Sequence, residues 1–217
     1  MNEDGSETVV KKSVAGEDGI SAVLEGSATV KLVDNKKEFN DTAKHWGASA
    51  IDFATSRELF DGVDEGVFDP DGTMTRAMLV TVLYRLEGEP KHDHTHEFGD
   101  VEDGQWYSEA VAWANGLGIV EGDGTGFDPN GEVTREQIAV ILHRYAKYLE
   151  MSTHHEGDMT QFNDHHETSD WALEAKTWAV GAGLITGKDG NKLDPTGDAT
   201  RAEVATILER LVGLMVE

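Results

Sequence analysis

The chain has 217 residues, of which 42 are Asp or Glu and 18 are Lys or Arg, giving a net charge of −24. A surface of this sign repels phosphate backbones and anionic headgroups, which argues against nucleic acid and membrane surfaces as partners. No apolar run reaches the length of a membrane span, so we expect no membrane insertion. The chain has no cysteine, which excludes disulfides and thiolate metal sites.

Residues 1–38 differ in pattern from the rest of the chain. The segments 20–24 and 28–33 predict two short strands joined by a turn at Glu25 and Gly26. We interpret residues 1–38 as the tail of an upstream β domain or a linker. The first five residues lack the basic and apolar parts of a signal peptide. The chain is therefore either cytosolic or a fragment of a longer secreted protein with its signal peptide upstream, and we expect the fragment because the β-like segment resembles the end of another domain.

One sequence unit occurs three times after residue 38, and self-similarity at a fixed period is typical of repeat architectures. Each copy begins with Phe-x-Asp and continues with a Trp and a helical pattern. It then reaches an Asp-Pro pair six residues before an Arg. The distance from Trp to Pro is 23 or 24 residues in every copy. We place the repeats at 39–90, 91–150 and 151–217.

A first helix is predicted in each copy from apolar residues at helical spacing, such as Trp46, Ala50 and Phe53 in the first copy. On this pattern the tryptophans fit a core position, and stacking on a sugar ring is the alternative. A glycine in each copy is expected to end the first helix with a positive φ. These glycines are Gly62, Gly122 and Gly187.

A second helix is predicted after a threonine in each copy, because a threonine hydroxyl can accept a free N–H at a helix start. The three threonines are Thr75, Thr134 and Thr200. Apolar residues follow at matching offsets and form one stripe on each helix. A two-helix unit cannot bury such a stripe alone, so we expect the second helices to pack together. Leu83, Leu142 and Leu208 should then be buried.

This order of motifs resembles the S-layer homology domain. The copies run from Phe39–Asp41 to Thr75–Met78, from Phe98–Asp100 to Thr134–Gln137, and from Phe162–Asp164 to Thr200–Glu203. The resemblance covers roughly residues 39–214. It implies an all-α fold in which three helix-loop-helix repeats surround a central three-helix bundle with pseudo-threefold symmetry, here preceded by the short β-like segment.

The resemblance also implies a function. A family member would bind secondary cell wall polymers carrying pyruvate-ketal sugars, in grooves between repeats, and so anchor a larger protein at the bacterial cell surface. No cofactor is implied, and no catalytic triad or carboxylate pair stands out, so we predict that the chain is not an enzyme. Met78 and Gln137 stand where the family has Glu, and Gly47 where it has Ala. We therefore expect the three sites to be unequal.

An arginine at the first position of a helix is electrostatically unfavourable, which suggests a compensating role. Together with free helix N–H groups, the guanidinium would form a site for a carboxylate such as that of a pyruvate ketal. The alternative is a structural latch to a nearby aspartate. The predicted ligand-binding residues are Arg76, Arg135, Arg201, Asp41, Asp100, Asp164, Trp46, Trp106, Trp171, Gly62, Gly122 and Gly187.

The resemblance does not explain the histidines. His92, His94 and His96 alternate, so an extended segment would point all three imidazoles one way. They are a candidate site for a divalent metal, and a solvated polar linker is the alternative. Two other functions therefore stay open at this point. One is a metal-binding surface protein rich in His and Asp, and the other is a self-associating module of a surface array.

Overall fold

The computed structural model describes residues 7–24, 26, 28–188 and 190–216, so Glu25 and the first five residues of the chain lie outside it. Within the described residues, the chain is mainly helical, with one two-stranded sheet. This confirms the all-α class and the short β segment. The helices are α1 (Ala48–Ser56), α2 (Arg76–Leu86), α3 (Ser108–Gly116), α4 (Arg135–Tyr148), α5 (Leu173–Gly181) and α6 (Arg201–Val216).

The N-terminal strands differ from the predicted ones. They are β1 (Ser13–Gly16) and β2 (Gly19–Ala22), which pair in antiparallel register with Ser13 opposite Ala22. Gly19 has a φ of 146°, a conformation that favours glycine and allows the tight two-residue turn. The prediction of a strand at 28–33 is wrong. Residues 28–33 are exposed, and they pair with no strand among the described residues.

The first helix of each repeat begins after its tryptophan and ends before the predicted glycine. The residues with positive φ that follow α1, α3 and α5 are Glu58, Gly118 and Gly183. Gly62, Gly122 and Gly187 are not among the residues with positive φ. The prediction that these three end the helix is therefore wrong, because each helix ends six residues before its glycine.

The second helices begin as predicted. Thr134 caps α4 through a capping box with Gln137, and the Thr75 hydroxyl accepts the N–H of Met78 at 3.2 Å. The predicted Asp-Pro turns form as well, with Asp69, Asp128 and Asp194 at φ between 50° and 59°. On the apolar stripes, Leu83, Leu142 and Leu208 are fully buried, which confirms their core positions.

The chain forms two compact units. The described part of the first unit contains residues 7–72, 85–88 and 201–216, apart from residues 25 and 27, and in it α1 and β1 both pack against α6. The second unit contains residues 73–84 and 89–200, with residue 189 outside the described part, and in it α4 packs against α5.

Three backbone hydrogen bonds close a ring inside the second unit. The N–H of Met74 donates to Ala199, that of Ala199 to Val133, and that of Val133 to Met74, at 2.8–3.1 Å. Each residue directly precedes a threonine that comes before a second helix. The ring is threefold in its connectivity, because each copy donates one bond and accepts one.

Among the described residues, no helix is both long and apolar enough to cross a membrane.

Candidate functional site

Each predicted arginine joins its own repeat to the loop of another repeat. Arg76 lies against the loop of the second copy, Arg135 against that of the third, and Arg201 against that of the first. We name each site after its arginine. The Arg201 site contains Arg201, Asp41, Trp46 and Gly62. The Arg76 site contains Arg76, Asp100, Trp106 and Gly122. The Arg135 site contains Arg135, Asp164, Trp171 and Gly187.

The arginines use the same two donors in all three sites. In the Arg201 site, Nε donates to the carbonyl of Phe68 at 2.8 Å and Nη2 to that of Asp61 at 2.7 Å. Arg76 and Arg135 make the equivalent pairs of bonds at 2.7–3.0 Å. Nε and Nη2 form one edge of the guanidinium, the edge that could also grip a carboxylate. Here that edge holds the loop backbone.

The aspartates bind the same loops from the other side. Asp41 accepts the N–H groups of Phe68 and Asp69 at 3.0 and 2.7 Å. Asp100 and Asp164 accept the corresponding pairs at 2.7–2.9 Å. The Arg–Asp latch therefore works through a shared residue, because the Phe68 N–H donates to Asp41 while its carbonyl accepts from Arg201.

These hydrogen bonds also affect the aspartate carboxyls. At Asp100, the bond from the N–H of Phe127 lowers the pKa below its usual value. At Asp41 and Asp164, desolvation acts to raise the pKa, but hydrogen bonds from backbone N–H groups and a nearby cation together outweigh it, and the pKa is again lowered. All three aspartates therefore stay ionised at neutral pH and hold the loop as charged acceptors.

The expectation of free N–H groups at the helix starts is wrong. Arg201 and Ala202 donate their N–H groups to the carbonyls of Gly72 and Pro70 at 2.9 and 3.0 Å. The first two N–H groups of α2 and α4 donate in the same way to the Asp-Pro turns of the second and third copies. The turns satisfy the donors that a helix start normally leaves unpaired, so these N–H groups cannot bind a ligand carboxylate.

The predicted glycines are required by close packing. A Cβ on Gly62 would lie 2.8 Å from Cε1 of Phe39, and Gly122 and Gly187 meet Phe98 and Phe162 in the same way at 2.8 and 2.9 Å. Those phenylalanines are the first residues of the Phe-x-Asp motifs at the start of the three copies. The signal for this contact was present in the sequence, as a Phe and a Gly recurring together in each copy.

The tryptophans lie on the surface, which rules out the core position that their helical spacing favoured. Trp46, Trp106 and Trp171 are 65%, 60% and 59% exposed. The core positions are taken instead by residues seven places later, and Trp113 and Trp178 are only 2% exposed. An exposed indole costs hydrophobic free energy, so three at equivalent places suggest a shared role outside the core.

The Arg135 site contains two buried charged residues that the sequence pattern did not indicate. Glu136 and Lys176 are both buried, while the equivalent residues elsewhere are alanines and the apolar Ile51 and Val111. Glu136 accepts bonds from the N–H and hydroxyl of Ser169 at 3.0 and 2.9 Å. Lys176 Nζ has no hydrogen-bond partner among the described residues. Burial, aided by Arg135, lowers the pKa of Lys176 to about 8.

The side chains of His92, His94 and His96 are half-buried, whereas the residues between them are exposed. The imidazoles pack against other rings: His92 stacks on His94 with centroids 5.6 Å apart, and His96 stacks on Phe98 at 5.9 Å. In the part of the chain that the structure describes, no three His, Asp or Glu side chains are arranged to hold a metal ion. The geometry therefore gives no support to a metal site at His92, His94 and His96.

Comparison with known proteins places these repeats in a family. The model of the S-layer homology domain matches residues 38–77, 97–139 and 161–205, which together are more than half of the chain. Over 81% of the chain, the sequence is 34% identical to an amylopullulanase of Thermoanaerobacterium thermosulfurigenes. Over 80%, it is 34% identical to the exoglucanase XynX of Acetivibrio thermocellus. Over 92%, it is 30% identical to the S-layer protein sap of Bacillus anthracis.

The chain spans only 10%, 16% and 24% of the length of these three relatives. The family match and the S-layer relatives indicate a surface-anchoring module at the cell surface or cell wall. The chain belongs to the S-layer homology domain family and contains three tandem copies of the domain.

Proposed function

We propose that this chain attaches a larger protein non-covalently to the bacterial cell surface by binding a cell wall polysaccharide that carries pyruvate-ketal sugars. In this proposal the chain is not itself an enzyme. The observation that carries it is the threefold recurrence of an exposed tryptophan in a site built around a buried or half-buried arginine.

The relatives support an attachment role. Some are named S-layer proteins and others are named as enzymes, yet all share a segment similar to this chain. A segment common to proteins of different activity serves a task that they have in common. Attachment to the surface is such a task, whereas catalysis of one reaction is not.

The exposed indoles suit a sugar ligand. An indole ring offers a large, rigid, apolar face with a single polar atom, which matches the apolar face of a sugar ring. Three such rings on one chain allow one polysaccharide to be held at several points. Binding at linked sites raises the apparent affinity above that of any single site.

The arginines give these sites a positive charge in a strongly acidic protein. Their Nε and Nη2 atoms hold the loop, so we propose that a ligand carboxylate is attracted by the remaining charge and does not replace these bonds. Arg76 is half-buried, whereas Arg135 and Arg201 are only 4% and 6% exposed. Direct contact with a ligand anion is therefore most accessible at Arg76.

Co-sedimentation with purified cell wall material tests the proposal. The variant with Trp46→Ala, Trp106→Ala and Trp171→Ala should stay in the supernatant, while wild type pellets. Tyr148→Ala is the matched control, since Tyr148 is an exposed aromatic outside the three sites. Wild type should also lose binding once the polymer is stripped from the wall. Equal pelleting of the triple variant and wild type would refute the role of the tryptophans.

A further inference from the structure

The Arg201 site contains a histidine that the other two sites lack. His45 directly precedes Trp46, and the equivalent residues are Gln105 and Asp170. Its ring packs on the Trp46 indole, with centroids 5.2 Å apart. The ring lies between this exposed indole and the Asp-Pro turn of the same site.

Both ring nitrogens of His45 are engaged. Nδ1 accepts the N–H of Gly47 at 3.1 Å, and this bond identifies Nε2 as the protonated nitrogen. Nε2 then donates to Asp71 in the Asp-Pro turn at 3.2 Å. Because Trp46 lies between His45 and Gly47 in the sequence, the bond to Gly47 fixes the backbone on both sides of the tryptophan. Asp71 is replaced by Asn130 and Thr196 in the other copies.

Gly47 leaves room for this arrangement. It stands where the S-layer homology family has alanine, and a Cβ there would lie 3.3 Å from Nδ1 of His45 and 3.1 Å from Cβ of Ala202. Both distances are tighter than usual van der Waals contacts. The glycine at position 47, which replaces the family's alanine, and the histidine at position 45 therefore belong to one local structure.

We infer that His45 is a positioning residue of the Arg201 site, which holds the Trp46 indole in the exposed orientation that binds the ligand. That Trp46 binds a ligand rests on the proposed function, whereas the role of His45 in orienting the indole does not. This role makes the Arg201 site distinct from the other two, because only here does a histidine directly precede the tryptophan.

The test uses a background in which Trp106→Phe and Trp171→Phe leave Trp46 as the exposed tryptophan, since Trp113 and Trp178 are buried. Acrylamide quenching of fluorescence reports Trp46 without any ligand, and co-sedimentation with cell wall material reports binding. His45→Ala should change the quenching and weaken binding about fivefold, the effect of one lost hydrogen bond. His45→Asn should preserve both, because an Asn side chain can accept the N–H two residues on.

The two variants decide the inference together. It is overturned by unchanged quenching in His45→Ala, or by quenching and binding in His45→Asn that match those of His45→Ala. If the quenching results appear as expected but no variant or wild type binds the wall, the proposed function fails while the positioning role stands.

Discussion

Arg201 and Asp41 hold one residue, Phe68, from opposite sides: the arginine binds its carbonyl oxygen at 2.8 Å and the aspartate its N–H at 3.0 Å. The same relationship recurs at the Arg76 and Arg135 sites. The arginine comes from one repeat, and the aspartate and the loop from another. The motif residues at the two ends of each repeat are therefore joined through the loop backbone.

Replacing the arginines should lower stability in the order of their burial. Arg201→Ala or Arg135→Ala removes two charge-assisted bonds to buried or half-buried carbonyls, which should lower the free energy of unfolding by about 2–4 kcal/mol. Arg76→Ala should cost less, since Arg76 is half-buried and water can replace it. Urea denaturation measures the three variants. Equal losses, or the largest loss at Arg76, would contradict the latch.

Arginine-to-lysine variants separate charge from geometry. Arg201→Lys retains the charge but cannot supply two donors from one planar edge. It should recover only part of the stability that Arg201→Ala loses. Complete recovery in the same urea titration would show that the two carbonyl bonds contribute little.

The glycines behind the phenylalanine rings should not tolerate a side chain. Gly62→Ala places Cβ 2.8 Å from the Phe39 ring and 2.7 Å from a backbone oxygen, so overpacking should cost about 1–3 kcal/mol. Gly99→Ala is the matched control, because a Cβ there meets nothing within 4 Å. Thermal unfolding compares the two, and equal melting temperatures would contradict the close packing.

Lys176 should make stability depend on alkaline pH. Its folded pKa of about 8 lies below the unfolded value, so the unfolded chain binds more protons between these two values and stability rises with pH there. The cost of the buried ammonium is present below pH 8 and should decrease by about 3 kcal/mol as pH approaches the unfolded pKa of about 10.4.

Lys176→Met provides the comparison, because it fills the same space without a charge. The free energy of unfolding of wild type should rise relative to this variant between pH 7 and pH 10. Other titrating groups affect both proteins alike and cancel in the difference. Parallel pH profiles would show that Lys176 is not held in the charged, desolvated state.

The sequence predicted the repeats and second helices well, because Thr75 and Thr134 act as caps and the apolar stripes are buried. It placed the tryptophans wrongly, since Trp46 falls on the same helical spacing as the core residue Phe53. Periodicity cannot show that the helix starts two residues after the tryptophan. The free helix N–H groups were also a wrong expectation, because their acceptors lie in another repeat, outside the reach of local patterns.

Salt should weaken attachment if the ligand is anionic. A partly exposed charge interaction is screened within about 8–10 Å at physiological ionic strength. Co-sedimentation with wall material should therefore decline as sodium chloride increases, and decline less for depyruvylated material. Salt-independent binding would favour stacking on the tryptophans alone.

The most direct test is calorimetric titration of the wild-type chain with a synthetic pyruvylated sugar and with its methyl ester. The two ligands share the ring that would stack on a tryptophan and differ in one negative charge. We predict that the acid binds at least about tenfold more tightly, as expected for a charge-assisted interaction. Equal affinities would contradict recognition of the carboxylate at the arginine sites.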